Sequence, residues 1–344
     1  MSRDLLRRVR CGAAALLLAL GLGLGAGAAL AEPPRLEPPL KCQFGRNCWL
    51  AKYMDNDPAK GRTRDYGCGR IADDGHKGTD FAIRDQRDVE TGGGVVVVAA
   101  AAGTVAGVRD GMADANTRVT GMGPVKDREC GNGVVIDHGD GWQTQYCHMA
   151  QGSVSAEKGQ KIMAGEPIGR VGLSGATEYP HMHFEVRKDK TPVDPFLGVR
   201  AEPGACGAGP RSLWTKEALA AMPYRPIVLY LLGFADRKPT LITAREGVFR
   251  TPTFPSNAEV MYMWAVFHGL EEGDTITFKV TPPDGKTFEK KAAMDKATLQ
   301  YLSFLAAPRP GARWPSGRYV LEVSAARSGR AGDSVVARQE IDVP

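Results

Sequence analysis

Residues 180–187 read Pro-His-Met-His-Phe-Glu-Val-Arg. Along an extended backbone successive side chains point to opposite faces, so His181, His183 and Glu185 share one side. Met182, Phe184 and Val186 take the other, the pattern of a strand with one buried face. Two imidazoles on one face, two residues apart, can approach a single metal ion or a single bound substrate. By itself the pair is a weak signal, because strand histidines usually serve structural hydrogen bonds. Its weight comes from the surroundings: of six histidines in the chain, five (His76, His138, His148, His181, His183) fall within 108 consecutive residues.

Working outward, residues 76–197 alternate short apolar stretches with glycines. Residues 95–100, 103–108, 132–137, 142–148, 159–165 and 166–173 are expected strands, and His138-Gly139-Asp140-Gly141 is a hairpin signal between two of them. Residues 109–129 are polar and aperiodic and predict a long loop, a length that in compact domains often carries function. Residues 41–75 show little periodicity and predict a loop region, with a turn at Asp55-Asn56-Asp57. Residues 198–210 are rich in Gly, Pro and Ala and open a linker. Beyond it, residues 226–234 form a short apolar run, and 258–267, 274–280, 287–291, 318–323 and 334–343 are expected strands. Pro-Asp-Gly turns separate them, as in a small immunoglobulin-like sandwich. Met261, Tyr262, Met263, Trp264 and Phe267 are expected in its core, and its one histidine, His268, is expected to be structural. The class is therefore all-β, arranged as 1–31 leader, 32–65 disulfide-pinned segment, 66–197 histidine-bearing strand domain, 198–225 linker and 226–344 sandwich.

The leader has a basic start (Arg3, Arg7, Arg8, Arg10), an apolar run and a small-x-small site at Ala29-Leu30-Ala31. It reads as a cleaved export signal, with an uncleaved anchor as the alternative. Without it the formal charge falls from +5 to +2, so no global field draws the chain to nucleic acid, and no stable membrane insertion is expected. Six cysteines remain, an even count that suits disulfides in an oxidising compartment. The near pair Cys42/Cys48 is one expected bridge and the hairpin-flanking Cys130/Cys147 another, which leaves Cys68 with Cys206.

His76-Lys77-Gly78-Thr79-Asp80 places an imidazole and a carboxylate four apart at the entry to a strand. With His183 they offer two nitrogens and one oxygen, the three-ligand set of a catalytic zinc with a position left for water. His148 and His181 are then candidates to orient water, move protons and stabilise an oxyanion. His138 is expected to be a structural hydrogen-bonder, and Glu185 either orients a ligand or is an exposed carboxylate. The chain has no HExxH helix, and Ser174 lacks the spacing of a nucleophile elbow. The glycine-spaced stretch 159–172 lacks the Met-Lys-Met tip of a biotinyl carrier.

The motifs HKGTD, GNGVVIDHGDGWQTQYCHM, GQKIMAGEPIGRVGLSG and HMHFEVR, in this order, closely resemble the lysostaphin/LytM-type zinc endopeptidases that cut peptidoglycan cross-bridges. The resemblance covers about residues 66–197. It implies a lysostaphin-like antiparallel sheet, one zinc ion on His76, Asp80 and His183, and catalytic roles for His148 and His181. Met149 and Met182 stand where Leu is commoner, a conservative swap on a core face. The implied activity is zinc-dependent hydrolysis of peptidoglycan peptide stems by an exported enzyme, most simply as a D,D-endopeptidase. Two other functions stay open: a non-catalytic wall-binding or amidase-activating protein, and a zinc peptidase of Gly-rich proteins. The sandwich could bind the wall, a protein partner or the catalytic domain.

Overall fold

In the computed structural model, residues 32–91, 94–199, 204–330 and 333–344 are described; the leader read from residues 1–31 lies outside them. The first eleven strands are β1 (Leu40–Lys41), β2 (Cys48–Lys52), β3 (Thr79–Ile83), β4 (Val96–Val98), β5 (Gly103–Arg109), β6 (Asn132–Gly139), β7 (Trp142–Met149), β8 (Lys161–Ile162), β9 (Pro167–Arg170), β10 (His181–Lys188) and β11 (Thr191–Val193). Eight of them form one antiparallel sheet in the order β2-β3-β10-β7-β6-β5-β8, with β11 on the side of β10. A smaller sheet, β1-β4-β9, packs with it.

The alternation read in 180–187 is present in β10. Met182, Phe184 and Val186 are buried in a core with Phe81, Tyr146, Phe196 and Trp214. Strand β10 lies between β3 and β7, pairing His183 with Asp80 on one side and with Cys147 on the other. The register alone thus brings a carboxylate beside an imidazole.

One stretch departs from expectation. Residues 41–75 hold strand β2, which extends the main sheet beside β3, so they are more than a loop. Its sequence, Cys-Trp-Leu-Ala-Lys, is buried on both faces toward its end and shows no alternation to read. Residues 211–222 also pack on the first domain. Thr215 caps helix α3 (Lys216–Ala221) by accepting from the Ala218 amide, and Leu213, Trp214, Ala218 and Met222 enter the core of the first sheet. Residues 109–129 remain mostly irregular but include α2 (Thr117–Thr120), numbered here after α1 (Gln86–Glu90), and a 3-10 turn.

The remaining strands are β12 (Val228–Ala235), β13 (Val260–Leu270), β14 (Thr275–Thr281), β15 (Phe288–Ala293), β16 (Thr298–Pro308), β17 (Gly317–Ala326) and β18 (Ser334–Val343). A three-stranded sheet, β12-β13-β16, faces a four-stranded sheet, β15-β14-β17-β18, in the immunoglobulin-like manner. Met261, Met263, Phe267, Phe278, Leu321 and Val323 fill the space between them. Strand β16 was not among the expected strands. Helix α4 (Leu241–Arg245), capped by Thr240 in a reciprocal capping box with Thr243, was not expected either.

All three cysteine pairs are bonded: Cys42–Cys48, Cys68–Cys206 and Cys130–Cys147. The sandwich also packs directly on the first domain. Trp49 meets Tyr230 edge-on, His268 Nδ1 donates to the Ala51 carbonyl at 3.0 Å, and Arg250 pairs with Asp85 and Asp88 at 2.7 and 2.6 Å. Among the described residues no helix is long and apolar enough to cross a membrane.

Candidate active site

His76 enters from the turn before β3, Asp80 from β3 and His183 from β10. His76 Nε2 lies 3.1 Å from Asp80 Oδ1 and 3.1 Å from His183 Nδ1, and His183 Nδ1 lies 2.9 Å from Asp80 Oδ1. Residue Gly78 permits this approach, because a Cβ there would stand 2.4 Å from the Phe184 carbonyl and 2.8 Å from the His183 ring. His76 Nδ1 donates to the Tyr53 carbonyl at 2.7 Å, which leaves Nε2 as the nitrogen that faces the site. On the far side of His183, Nε2 faces Glu185 Oε2 at 3.9 Å. Glu185 is buried rather than exposed, and Arg187 grips it through two bonds of 2.8 and 3.1 Å.

Two imidazole nitrogens and a carboxylate oxygen this close together can share one cation. The edges of a tetrahedral site with zinc–nitrogen bonds of ordinary length are roughly 3.3 Å, so the trio fits a small divalent cation. The same three residues form a group whose ligand atoms all lie within 4.8 Å of one another.

His181 and His148 flank the trio. His181 Nδ1 donates to the Tyr179 carbonyl at 2.9 Å and approaches Thr177 Oγ1 at 3.0 Å, which leaves Nε2 directed to the site, 3.5 Å from Asp80 Oδ1. His148 Nδ1 donates to the Ser174 carbonyl at 2.7 Å, and its ring lies 4.7 Å from that of His181. His148 sits at φ +60°, a left-handed conformation costing on the order of 1–3 kcal/mol for a non-glycine residue. It is held there because its amide donates to the Cys130 carbonyl at 2.8 Å and its own carbonyl accepts from Gly172 at 2.9 Å.

Electrostatically the site has two halves. Burial pushes His148 well below its ordinary range, helped by His181 and His183, and burial takes His181 down to about 4 against the pull of Asp80. Both are neutral bases at neutral pH. For His183 burial also acts downward, but hydrogen bonds with Asp80 and Glu185 outweigh it and raise the group to about 9. Burial disfavours the Asp80 anion, yet its interactions with the neighbouring His76, His181 and His183 hold the carboxyl well below the usual carboxylate range.

His138 stands apart: its ring nitrogens meet the Ala102 carbonyl and Thr144 Oγ1 at 2.7 and 2.8 Å. Ser174 is fully buried and donates to the Met149 carbonyl at 2.7 Å. A cleft of about 550 Å³ opens over the trio. Its walls include Lys52, Arg118, Glu178 and Tyr179, and also Leu241, Leu299 and Gln300 from the sandwich. Sequence reasoning did not find those last three: Leu241 lies on α4 and Leu299 and Gln300 on β16, whose one signal was the Leu-x-Tyr alternation in Leu299-Gln300-Tyr301.

An antiparallel sheet presents a His-Asp-His trio flanked by two further histidines at the floor of an open cleft, a donor set of the kind metal-assisted chemistry uses. Residues 74–195 match the model of peptidase family M23, so this stretch of the chain is similar to that family. Similar proteins include the peptidoglycan DD-endopeptidase ShyA of Vibrio cholerae, 33% identical over 119 residues, 35% of this chain and 22% of that protein. The cell division protein DipM of Caulobacter vibrioides is 42% identical over 73 residues, 20% of this chain and 12% of that protein. The chain thus spans less than a quarter of the length of these relatives. Among solved structures, the catalytic domain of lysostaphin from Staphylococcus simulans aligns at 21% identity, over 42% of this chain and 85% of that one, with a TM-score of 0.26.

Proposed function

We propose that the chain is an exported zinc metalloendopeptidase that hydrolyses peptide cross-links of cell-wall peptidoglycan. The observation that carries this is the convergence of His76 Nε2, Asp80 Oδ1 and His183 Nδ1 beside two neutral imidazoles in a stretch similar to peptidase family M23. His76, Asp80 and His183 would hold one zinc ion, which when bound acidifies water and polarises a carbonyl.

The rest falls to the chain's own groups. His148, fixed by the Ser174 carbonyl, keeps its free Nε2 as a base able to take a proton from water and return it to the leaving amine. His181, fixed through its Nδ1, presents Nε2 to the site, and once that nitrogen has taken up a proton it would donate to the oxygen that gains charge in the tetrahedral intermediate. The cleft is open enough for a peptide to lie across the floor. The three disulfides and the leader-like residues 1–31 support an oxidising, extracytoplasmic location.

Purified sacculi digested with and without a chelator, with products identified by mass spectrometry, test the reading. Chelator-sensitive loss of cross-linked muropeptides is expected. Stoichiometric zinc without cleavage would instead mark a binding protein, and cleavage of a Gly-rich peptide in preference to muropeptides would move the substrate to protein.

A further inference from the structure

We propose that Arg245, carried by the sandwich, is a positioning residue for His181, acting through the ring of Tyr179. The inference rests on the peptidase reading above and adds a part for the second domain. Tyr179 is 3% exposed, and its ring stacks on His181 with centroids 4.6 Å apart and planes inclined by 26°. Its carbonyl also receives the His181 Nδ1 proton, so ring and backbone of one residue set that imidazole twice. The Arg245 guanidinium lies 4.5 Å from the centroid of the Tyr179 ring, and His268 meets the ring edge-on at 5.9 Å. Both of these come from the sandwich.

Arg245 is 2% exposed, an expensive place for a charge unless it is used. Its Nε donates to the Tyr230 hydroxyl at 3.1 Å and its Nη2 to Gln300 Oε1. Its Nη1 makes no hydrogen bond, and the nearest carboxylate oxygen, of Glu178, is 3.9 Å away. What the cation has instead is the face of Tyr179, an attraction that strengthens where water is excluded. The Tyr179 hydroxyl makes no hydrogen bond either, so the ring rather than the hydroxyl is what the site holds. Glu178, Tyr179 and Gln300 all line the cleft, and Arg245 touches or faces each from behind.

The test uses the full chain loaded with zinc. R245A is expected to lower kcat about 10- to 100-fold, as small misplacements of a catalytic group do, with KM within about threefold and zinc content unchanged. R245K should recover part of the loss. Y179L should resemble R245A, and the double variant should be no worse than Y179L, since one residue acts through the other. A second readout is independent of turnover: the His181 ring protons, shifted upfield by the stacked tyrosine, should move toward ordinary positions in both variants. Wild-type kcat in R245A, additive losses in the double variant, or unmoved His181 resonances would each overturn the proposal. If R245A does not fold, R245K and Y179L form the cycle. A wild-type protein that binds zinc and cleaves nothing refutes the peptidase reading instead, while the resonance shifts still decide the placement of His181.

Discussion

His181 and His183 share one strand face, yet their nitrogens are used in opposite ways. His183 turns Nδ1 to Asp80 and His76 and leaves Nε2 to Glu185, whereas His181 spends Nδ1 on the Tyr179 carbonyl and frees Nε2. The division predicts distinct losses. H183A should remove both bound zinc and activity, whereas H181A should keep most of its zinc and lose activity by about 100- to 10,000-fold. Metal analysis of the two purified proteins checks this, and equal zinc loss in both would refute the division of roles. The spacing of these side chains was open to reading in the sequence, because alternation is a property of any strand. The Tyr53 carbonyl that fixes His76 was not, since every residue has a carbonyl and none advertises where it points.

Strand β7 delivers His148, and the element matters through its end. The Cys130–Cys147 bridge ties the loop before β6 to the residue preceding His148, and the Cys130 carbonyl takes the His148 amide proton. Asn132 adds to this anchor, bonding the backbone of Met112 and Met149. Replacing both Cys130 and Cys147 by Ser should cost about 3 kcal/mol in urea unfolding, as expected for a loop of this size. The larger effect should fall on kcat, with zinc retained, because the left-handed backbone of His148 loses one of its clamps. Full activity in that variant would show that the bridge serves stability alone. Reading elements from sequence succeeded where glycines and turns punctuated them, as in the β6–β7 hairpin. It failed for β16, whose residues 298–308 are apolar in neighbouring pairs, and for α4, too short to show a period. Those two elements supply the sandwich's share of the cleft.

At the scale of the whole molecule, residues 32–344 form one compact unit, and its two halves share a wall. Composition and spacing say nothing of this contact, which exists only after both halves have folded. His268 lies in it, completely buried, its Nδ1 proton on the Ala51 carbonyl and its Nε2 without a hydrogen bond. Burial takes its pKa down to about 3, aided by Arg245 and Lys52 and opposed by the Ala51 bond and Asp80. In the unfolded chain it is about 6.5. Between these values the unfolded state holds the extra proton, so this contribution is intact above pH 6.5 or so and is lost as pH falls toward 3. The slope is at most about 1.4 kcal/mol per pH unit, or about 2 kcal/mol between neutrality and pH 5. H268Q, which keeps a donor for Ala51, should lose about that much of the pH dependence in urea midpoints measured at pH 7 and 5. An unchanged pH dependence would show that His268 is not the group responsible.

The Cys68–Cys206 bridge spans 138 positions and encloses the Cys130–Cys147 bridge within its loop. As the chain emerges amino end first, the Cys68 thiol meets those of Cys130 and Cys147 long before its own partner exists. Consecutive pairing, the outcome favoured by order of appearance, gives wrong bridges and leaves His148 without its anchor. The native set therefore asks for one of two things: early burial of the inner pair in the β6–β7 hairpin, or thiol–disulfide exchange that corrects the first links. Which cell can make this protein with its native bridges is thus a question about that cell's oxidative folding machinery.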